Sequence, residues 1–459
     1  MTTSTSQNTH ETDTANNASC TTISTILTLA IPTFGQLIAE PAFVLIDTAI
    51  VGHIGGRGLA GLSVGSTIVL TVVGLCVFLA YSTTSQVGRL LGAGKRREGL
   101  EAGIDGLWLA GIIGVVVSVA LFVIARPLCM AMGAQGSVLH NAVDYVRAVV
   151  FGIPGMLLVY AANGIFRGLQ KVRITLVAAT LGAILNTLLD LLFILGFGWG
   201  VFGSGVATLI SQWFMAVVLI VPAVLWTRAE GARLRPRLSG VLNSAGDGAV
   251  LFLRTLALRA CLVANVVLAT HMGVEVLAAY QVVNSSWNFV LNMLDAIGIA
   301  GQTLVAAQIG ARQEDEAMRL TRIAGKAGLC GGTVIGIGLM IAGWCASPLF
   351  SQSIEIQHLL TVGMVVVGVT LPLAGWMWAV DGILIGAGDY RYLALTCTAT
   401  AAIYVPCLAA IGWICDAMQA SSALRMALLW LAVNLLFVGL RAIFNGSRIG
   451  TSTWLHIAH

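Results

Sequence analysis

Charge is scarce in this chain. Lys and Arg number 24 and Asp and Glu 20, so charged residues make up 10% of 459, against about 25% in a soluble protein. That shortage excludes a water-soluble fold, because a content of 58% hydrophobic residues is more apolar surface than such a fold can bury. Histidine is also scarce, seven in all. His53 and His271 fall at the outer ends of apolar runs with no carboxylate cluster beside them, which argues against a membrane enzyme. The nine cysteines are odd in number and form no C-x-x-C pair, so they read as reduced, small packing residues. Residues 1–20 have no basic segment ahead of an apolar one and read as a polar tail rather than a signal peptide. The net charge of +4 requires no nucleic-acid partner.

What the chain has in abundance is apolar runs. Twelve of about 20 residues or more lie near 23–51, 59–83, 104–125, 142–166, 172–195, 201–226, 248–270, 276–305, 323–346, 358–386, 391–415 and 423–445. Residues 23–226 and 248–445 repeat each other at an offset of 218 without a gap. Asp47 falls on Asn265, Gly92 on Gly310, Pro154 on Pro372, Asn163-Gly164-Ile165 on Asp381-Gly382-Ile383, and Gly168 on Gly386. The expectation is an all-α polytopic membrane protein, twelve transmembrane helices in two homologous six-helix lobes that rock about a shared site.

The basic residues set the orientation. Arg89, Lys95–Arg97, Arg167, Lys171, Arg173, the Arg228–Arg237 group, Arg312, Arg319, Arg322, Lys326, Arg391, Arg441 and Arg448 follow even-numbered spans, and the opposite loops hold only Arg57, Arg126, Arg147 and Arg425. Both termini are therefore expected in the cytoplasm. This gives a disordered cytoplasmic tail over 1–22, lobes at 23–226 and 248–445, a cytoplasmic linker at 227–247 and a tail at 446–459. Gly332-x-x-x-Gly336 fits close helix packing.

Acids inside the spans are costly, about 2.5–3.5 kcal/mol at a helix centre even on the mildest scale. Asp47 lies in span one, with Glu40 two turns earlier on the same face and Pro32 and Pro41 interrupting the helix. Asn186 and Asp190 are one turn apart in span five, and Thr208 lies early in span six. Counting from the outer ends places Asp47, Asp190 and Thr208 at a similar depth, roughly 8–10 Å inside. Two carboxylates, a carboxamide and a hydroxyl at one level suit a proton or Na⁺. In the second half Asn265 and Leu408 replace the acids. Asp295 and Asp381 remain, with Arg254 and Arg259 as possible counter-charges; an ion pair holding helices would account for all four, and Asp381, near the cytoplasmic end, could instead cap a broken helix.

Ile46-Asp47-Thr48, Gly92–Lys95, Arg167–Gln170 and Asp381–Asp389 together resemble the multidrug and toxic compound extrusion (MATE) family over residues 23–445. Asp295 ahead of Gly298–Gln308 resembles its DinF-type subgroup. The resemblance implies a secondary antiporter that exports amphipathic organic compounds against H⁺ or Na⁺, without a cofactor. It implies that Asp47, Asn186, Asp190 and Thr208 hold the coupling ion, that Pro32 is the point where span one bends, and that Tyr145 and Asn163 are polar cavity residues. The chain departs from relatives in Glu40 and Phe43 on span one, and it has no acid in span seven for a second-lobe ion site. A cavity lined by Glu40, Phe43, Tyr145, Met156, Asn163 and Asp295 favours flat lipophilic cations. The protein is expected to act as a monomer in the cell membrane on small-molecule substrates. The alternative is a lipid or glycolipid flippase, which would need cavity arginines for phosphate, with Arg254 and Arg259 the candidates.

Overall fold

The computed structural model describes residues 24–39, 41, 46, 50 and 56–457. In lipid a chain must satisfy its backbone within each segment, so uninterrupted apolar runs become helices. Among the described residues all regular structure is helical: α1 (Ser24–Ala39), α2 (Gly56–Leu75), α3 (Phe78–Gly92), α4 (Arg96–Ala131), α5 (Gly136–Val149), α6 (Ile153–Gly168), α7 (Val172–Asp190), α8 (Gly200–Ala229), α9 (Leu238–His271), α10 (Val274–Gly310), α11 (Glu314–Cys345), α12 (Ser347–Phe350), α13 (Ile354–Ala387), α14 (Tyr390–Ala417), α15 (Ser422–Leu431) and α16 (Gly439–Ile449). Among the described residues eleven stretches are long and apolar enough to cross a membrane, and α1 is a shorter apolar helix. These eleven coincide with spans two to twelve of the sequence reading but run longer. The helix at 274–310 has 37 residues, well beyond the 20 or so a bilayer requires.

The chain separates into two compact units. Pro32–Phe252 is the first, and Leu253–His459 with the residues up to Ile31 is the second. The 227–247 segment is not a plain linker. α9 already begins at Leu238, and the stretch before it is clamped to α4. Glu101 accepts from the Arg233 backbone N–H and guanidinium, both at 3.2 Å. Asp105 accepts from the Arg237 N–H at 2.9 Å, and Trp108 Nε1 donates to the Leu234 carbonyl at 3.2 Å.

The repeat visible in the sequence is also a repeat of contacts. A Cβ on Gly164 of α6 would lie 2.8 Å from the Ala80 carbonyl oxygen, and one on Gly382 of α13 would lie 2.3 Å from that of Gly298, 218 residues on from Ala80. Gly168 meets the Thr84 carbonyl oxygen and Gly386 that of Gln302 in the same way. In the second unit the seam between α11 and α13 is tighter still. Gly328, Gly332 and Gly336 face Gly375, Leu371 and Gly368 backbone to backbone, and a Cβ on Gly375 would sit 2.0 Å from the Gly328 oxygen. Small residues at such a seam let helices associate where no hydrophobic effect drives them together. Gly375→Ala is therefore expected to cost about 1–3 kcal/mol by overpacking. Gly338 of α11 meets nothing within 4 Å, so Gly338→Ala is the control. Equal melting temperatures for the two variants in detergent would show that the seam is not close-packed.

Candidate functional site

In the first unit the polar positions converge on α7 and α8, which pack against each other. Asn186 and Asp190 lie one turn apart on α7 and are 3% and 0% exposed. At Asp190 the α-helix gives way to a π-helical turn, Leu191–Gly196. Such insertions widen the helix and recur at functional sites. Thr208 is half-buried on α8. Ser204 and Ser211, spaced with it at four and three residues, are buried on that helix too. The Asn186 Oδ1 and the Ser204 and Ser211 hydroxyls are buried without a hydrogen-bond partner among the described residues. The sequence reading missed both serines. Their spacing from Thr208 was the available signal, hidden because serine in an apolar helix usually bonds its own backbone.

The remaining first-unit candidates are placed individually. Tyr145 of α5 is buried. A Cβ on Gly65 would touch its ring at 2.7 Å, and one on Gly205 of α8 would lie 3.1 Å from its carbonyl oxygen. Met156 and Asn163 are buried on α6, and the Asn163 Oδ1 has no partner among the described residues. Pro32 lies inside α1. Beyond it, Gln36 accepts from the buried Arg167 guanidinium at 2.7 Å, and Gly35 abuts Leu176 of α7. Arg167 is thus a packing partner of α1 rather than a loop charge. Glu40, Phe43 and Asp47 lie outside the described residues.

The second unit shows what the same positions do without acids. The repeat mates of Asp47 and Asn186 are Asn265 and Tyr404, and the Tyr404 hydroxyl donates to Asn265 Oδ1 in a buried contact. The mates of Asp190 and Thr208 are Leu408 and Met426, both in the apolar core. Bulk is exchanged as well. The Gly65–Tyr145 contact of the first unit returns as Val283 against Gly363. The four equivalent positions are therefore polar in one unit and closed by apolar packing and one hydrogen bond in the other.

Asp381 is not a helix cap. It is buried and held by three groups: the Arg254 guanidinium, the Arg441 guanidinium at 3.1 Å and Asn445 Nδ2 at 3.1 Å. Arg441 also lies over the rings of Trp378 and Phe437 at 5.1 and 5.6 Å. A charge inside an apolar span must find partners, and Arg441, counted above as a terminal loop charge, is one of them. Arg259 is exposed on α9 and belongs to no ion pair among the described residues. Asp295 is half-buried on α10, in the second unit.

A family model described as MatE matches residues 32–192 and 251–410, once in each repeat. The chain is 28% identical over 445 residues to Protein DETOXIFICATION 44, chloroplastic, of Arabidopsis thaliana, covering 93% of this chain and 82% of that protein. It is 26% identical over 424 residues to DNA damage-inducible protein F of Escherichia coli (strain K12), covering 90% and 89%. The crystal structure of the Vibrio cholerae MATE transporter VcmN in the bent form shares its fold, with a TM-score of 0.85, 18% identity and coverage of 96% and 99%. So does the outward-facing conformation of a multidrug resistance MATE family transporter, with a TM-score of 0.82, 20% identity and coverage of 93% and 95%. The duplicated helical unit seen first as a sequence offset is thus the family's own repeat, and the chain belongs to the MatE family of multidrug and toxic compound extrusion transporters, DinF-like in its affinities, a multi-pass membrane transporter of small molecules and not an enzyme.

Proposed function

We propose that the chain is an antiporter that exports amphipathic organic cations in exchange for H⁺ or Na⁺ bound in the first unit. The observation that carries this reading is Asp190. It is a fully buried acid one turn from Asn186, on a helix that packs against α8, which carries Ser204, Thr208 and Ser211. Asp47 is assigned to the set from the sequence repeat alone: its mate Asn265 accepts from Tyr404, the mate of Asn186. Hard cations and protons suit an all-oxygen set.

Arg254 is committed to Asp381, which removes a phosphate ligand that the flippase alternative needs. The basic loops support placement in the cell membrane with cytoplasmic termini, and a monomer suffices for the reading. The test is purified protein in liposomes, with ethidium efflux driven separately by a pH gradient and by a Na⁺ gradient. Efflux driven by neither gradient would defeat the antiport reading.

Pro32 supplies the mechanical link. It withholds an N–H from α1, and ion binding on α7 changes the contacts that the following residues make. Pro32→Ala is expected to slow ethidium turnover while leaving its affinity near normal. Wild-type turnover in that variant would place the moving joint elsewhere.

A further inference from the structure

α10 carries a polar stripe through the middle of a transmembrane helix. Gln281, Ser285, Asn288, Asn292 and Asp295 follow one another at intervals of four, three, four and three, with Asn284 beside them. At 3.6 residues per turn these six side chains share an arc of about 100° and run for roughly 21 Å, about two-thirds of the thickness of a bilayer's hydrocarbon core. The stripe is not packed inside the protein. Gln281, Ser285 and Asn288 are exposed and the others half-exposed. The helix buries a different arc, that of Tyr280, Val283, Trp287, Val290 and Leu294, and presents Val282, Phe289 and Met293 on a third. Phe289 there is 49% exposed.

A carboxamide ladder exposed in this way cannot rest against lipid tails, since each group would lose its hydrogen bonds to water. The fold does not demand the ladder either. The repeat mates of Asn288, Asn292 and Asp295 in the first unit are Leu70, Gly74 and Val77. The mates of Gln281, Asn284 and Ser285 are Ser63, Ser66 and Thr67, hydroxyls that bond back to their own helix.

We infer that this stripe is a substrate track, a wetted face of α10 that binds cations rich in N–H donors. The chemistry follows from what the side chains offer. Asn288 and Asn292 donate their amide N–H to the carbonyls of Asn284 and Asn288, at 2.8 and 3.2 Å. That ties up one N–H of each amide, so each side chain presents its oxygen, with two acceptor lone pairs, and a single remaining N–H, and acceptors outnumber donors along the face. With the Asp295 carboxylate on the same arc, the face selects a positive ligand with amino groups along its length over an equally lipophilic cation that has none. Only the identity of this ligand rests on the export reading above. The wetting of the face does not.

The experiment has two arms. In the first, cysteine is placed singly at Asn288, Asn292 and Phe289, with native cysteines retained. Reaction with a charged, water-soluble thiol reagent is followed peptide by peptide by mass spectrometry in liposomes. Labelling at 288 and 292 is expected to be several-fold faster than at 289, and to slow when ethidium is present. Equal labelling at 289, or none at 288 and 292 with or without an imposed gradient, overturns the track. In the second, ethidium, which carries two aryl amines, is compared with tetraphenylphosphonium, which has no N–H. The double variant Asn288→Ala/Asn292→Ala is expected to raise KM for ethidium about tenfold, as the loss of two ordinary hydrogen bonds would, with tetraphenylphosphonium unchanged. Equal effects on both cations, or on neither, refute the selectivity. If the wild type exports neither cation, the export reading fails on its own, and the labelling pattern still decides whether the stripe is wet.

Discussion

Asp381→Ala is expected to cost about 3–5 kcal/mol of stability, the usual result of removing one partner from a buried ion pair. Arg254 and Arg441 have side chains only 8% and 3% exposed, and without the carboxylate they would be two uncompensated charges in the interior of the second unit. Asp381→Asn preserves the shape but not the charge, so it should be destabilised nearly as much. Arg254→Met combined with Asp381→Leu removes a positive and a negative group together and should recover part of the loss, since well-packed apolar replacements of buried pairs are often tolerated. Thermal denaturation in detergent measures all three. A melting temperature for Asp381→Ala equal to that of the wild type would mean that the cluster is hydrated and contributes little.

The second large effect is on transport rather than stability. Asp190→Asn keeps the size of a buried side chain and mimics the protonated acid, so the protein should fold and still bind ethidium. Gradient-driven efflux should fall to the level of empty liposomes, and Asp47→Asn should do the same. The contrast is Tyr404→Phe in the second unit. It deletes the hydroxyl that bonds Asn265 at the repeat-equivalent position, and it should leave coupling intact. Undiminished efflux by Asp190→Asn would remove α7 from the coupling site.

The architecture was legible because the bilayer sets the length of each apolar run and a duplicated unit sets the 218-residue offset. The helix ends were less so. A helix continues past the hydrocarbon as long as propensity allows, and α9 begins inside the polar 227–247 stretch for that reason. Asp190 and Asn186 stood out as polar groups in an apolar run. The Asp381 cluster was legible in part: Arg254 of α9 stood out as a counter-charge, whereas Arg441 and Asn445 come from α16, and no local pattern reports which distant groups a carboxylate will meet. Arg441 carried a usable signal, since it fell inside the twelfth apolar run. The α10 stripe was visible in part through Asp295. Its full extent appears only once the buried arc of the helix is known.

The same stripe bears on how the protein is made. α10 is the least apolar of the eleven spans, and its aspartate alone raises the free energy of leaving the translocon for lipid by about 2.5–3.5 kcal/mol if it lies near the centre. Helices that cover its apolar arc, α13 and α15, are synthesised after it. α10 therefore enters the bilayer as a marginal segment, held by its flanks until α13 arrives and Gly382 closes on Gly298. Membrane integration of the second half is thus expected to gain from its own completion, and a ribosome stalled between α10 and α13 should leave α10 less firmly held than the more apolar spans.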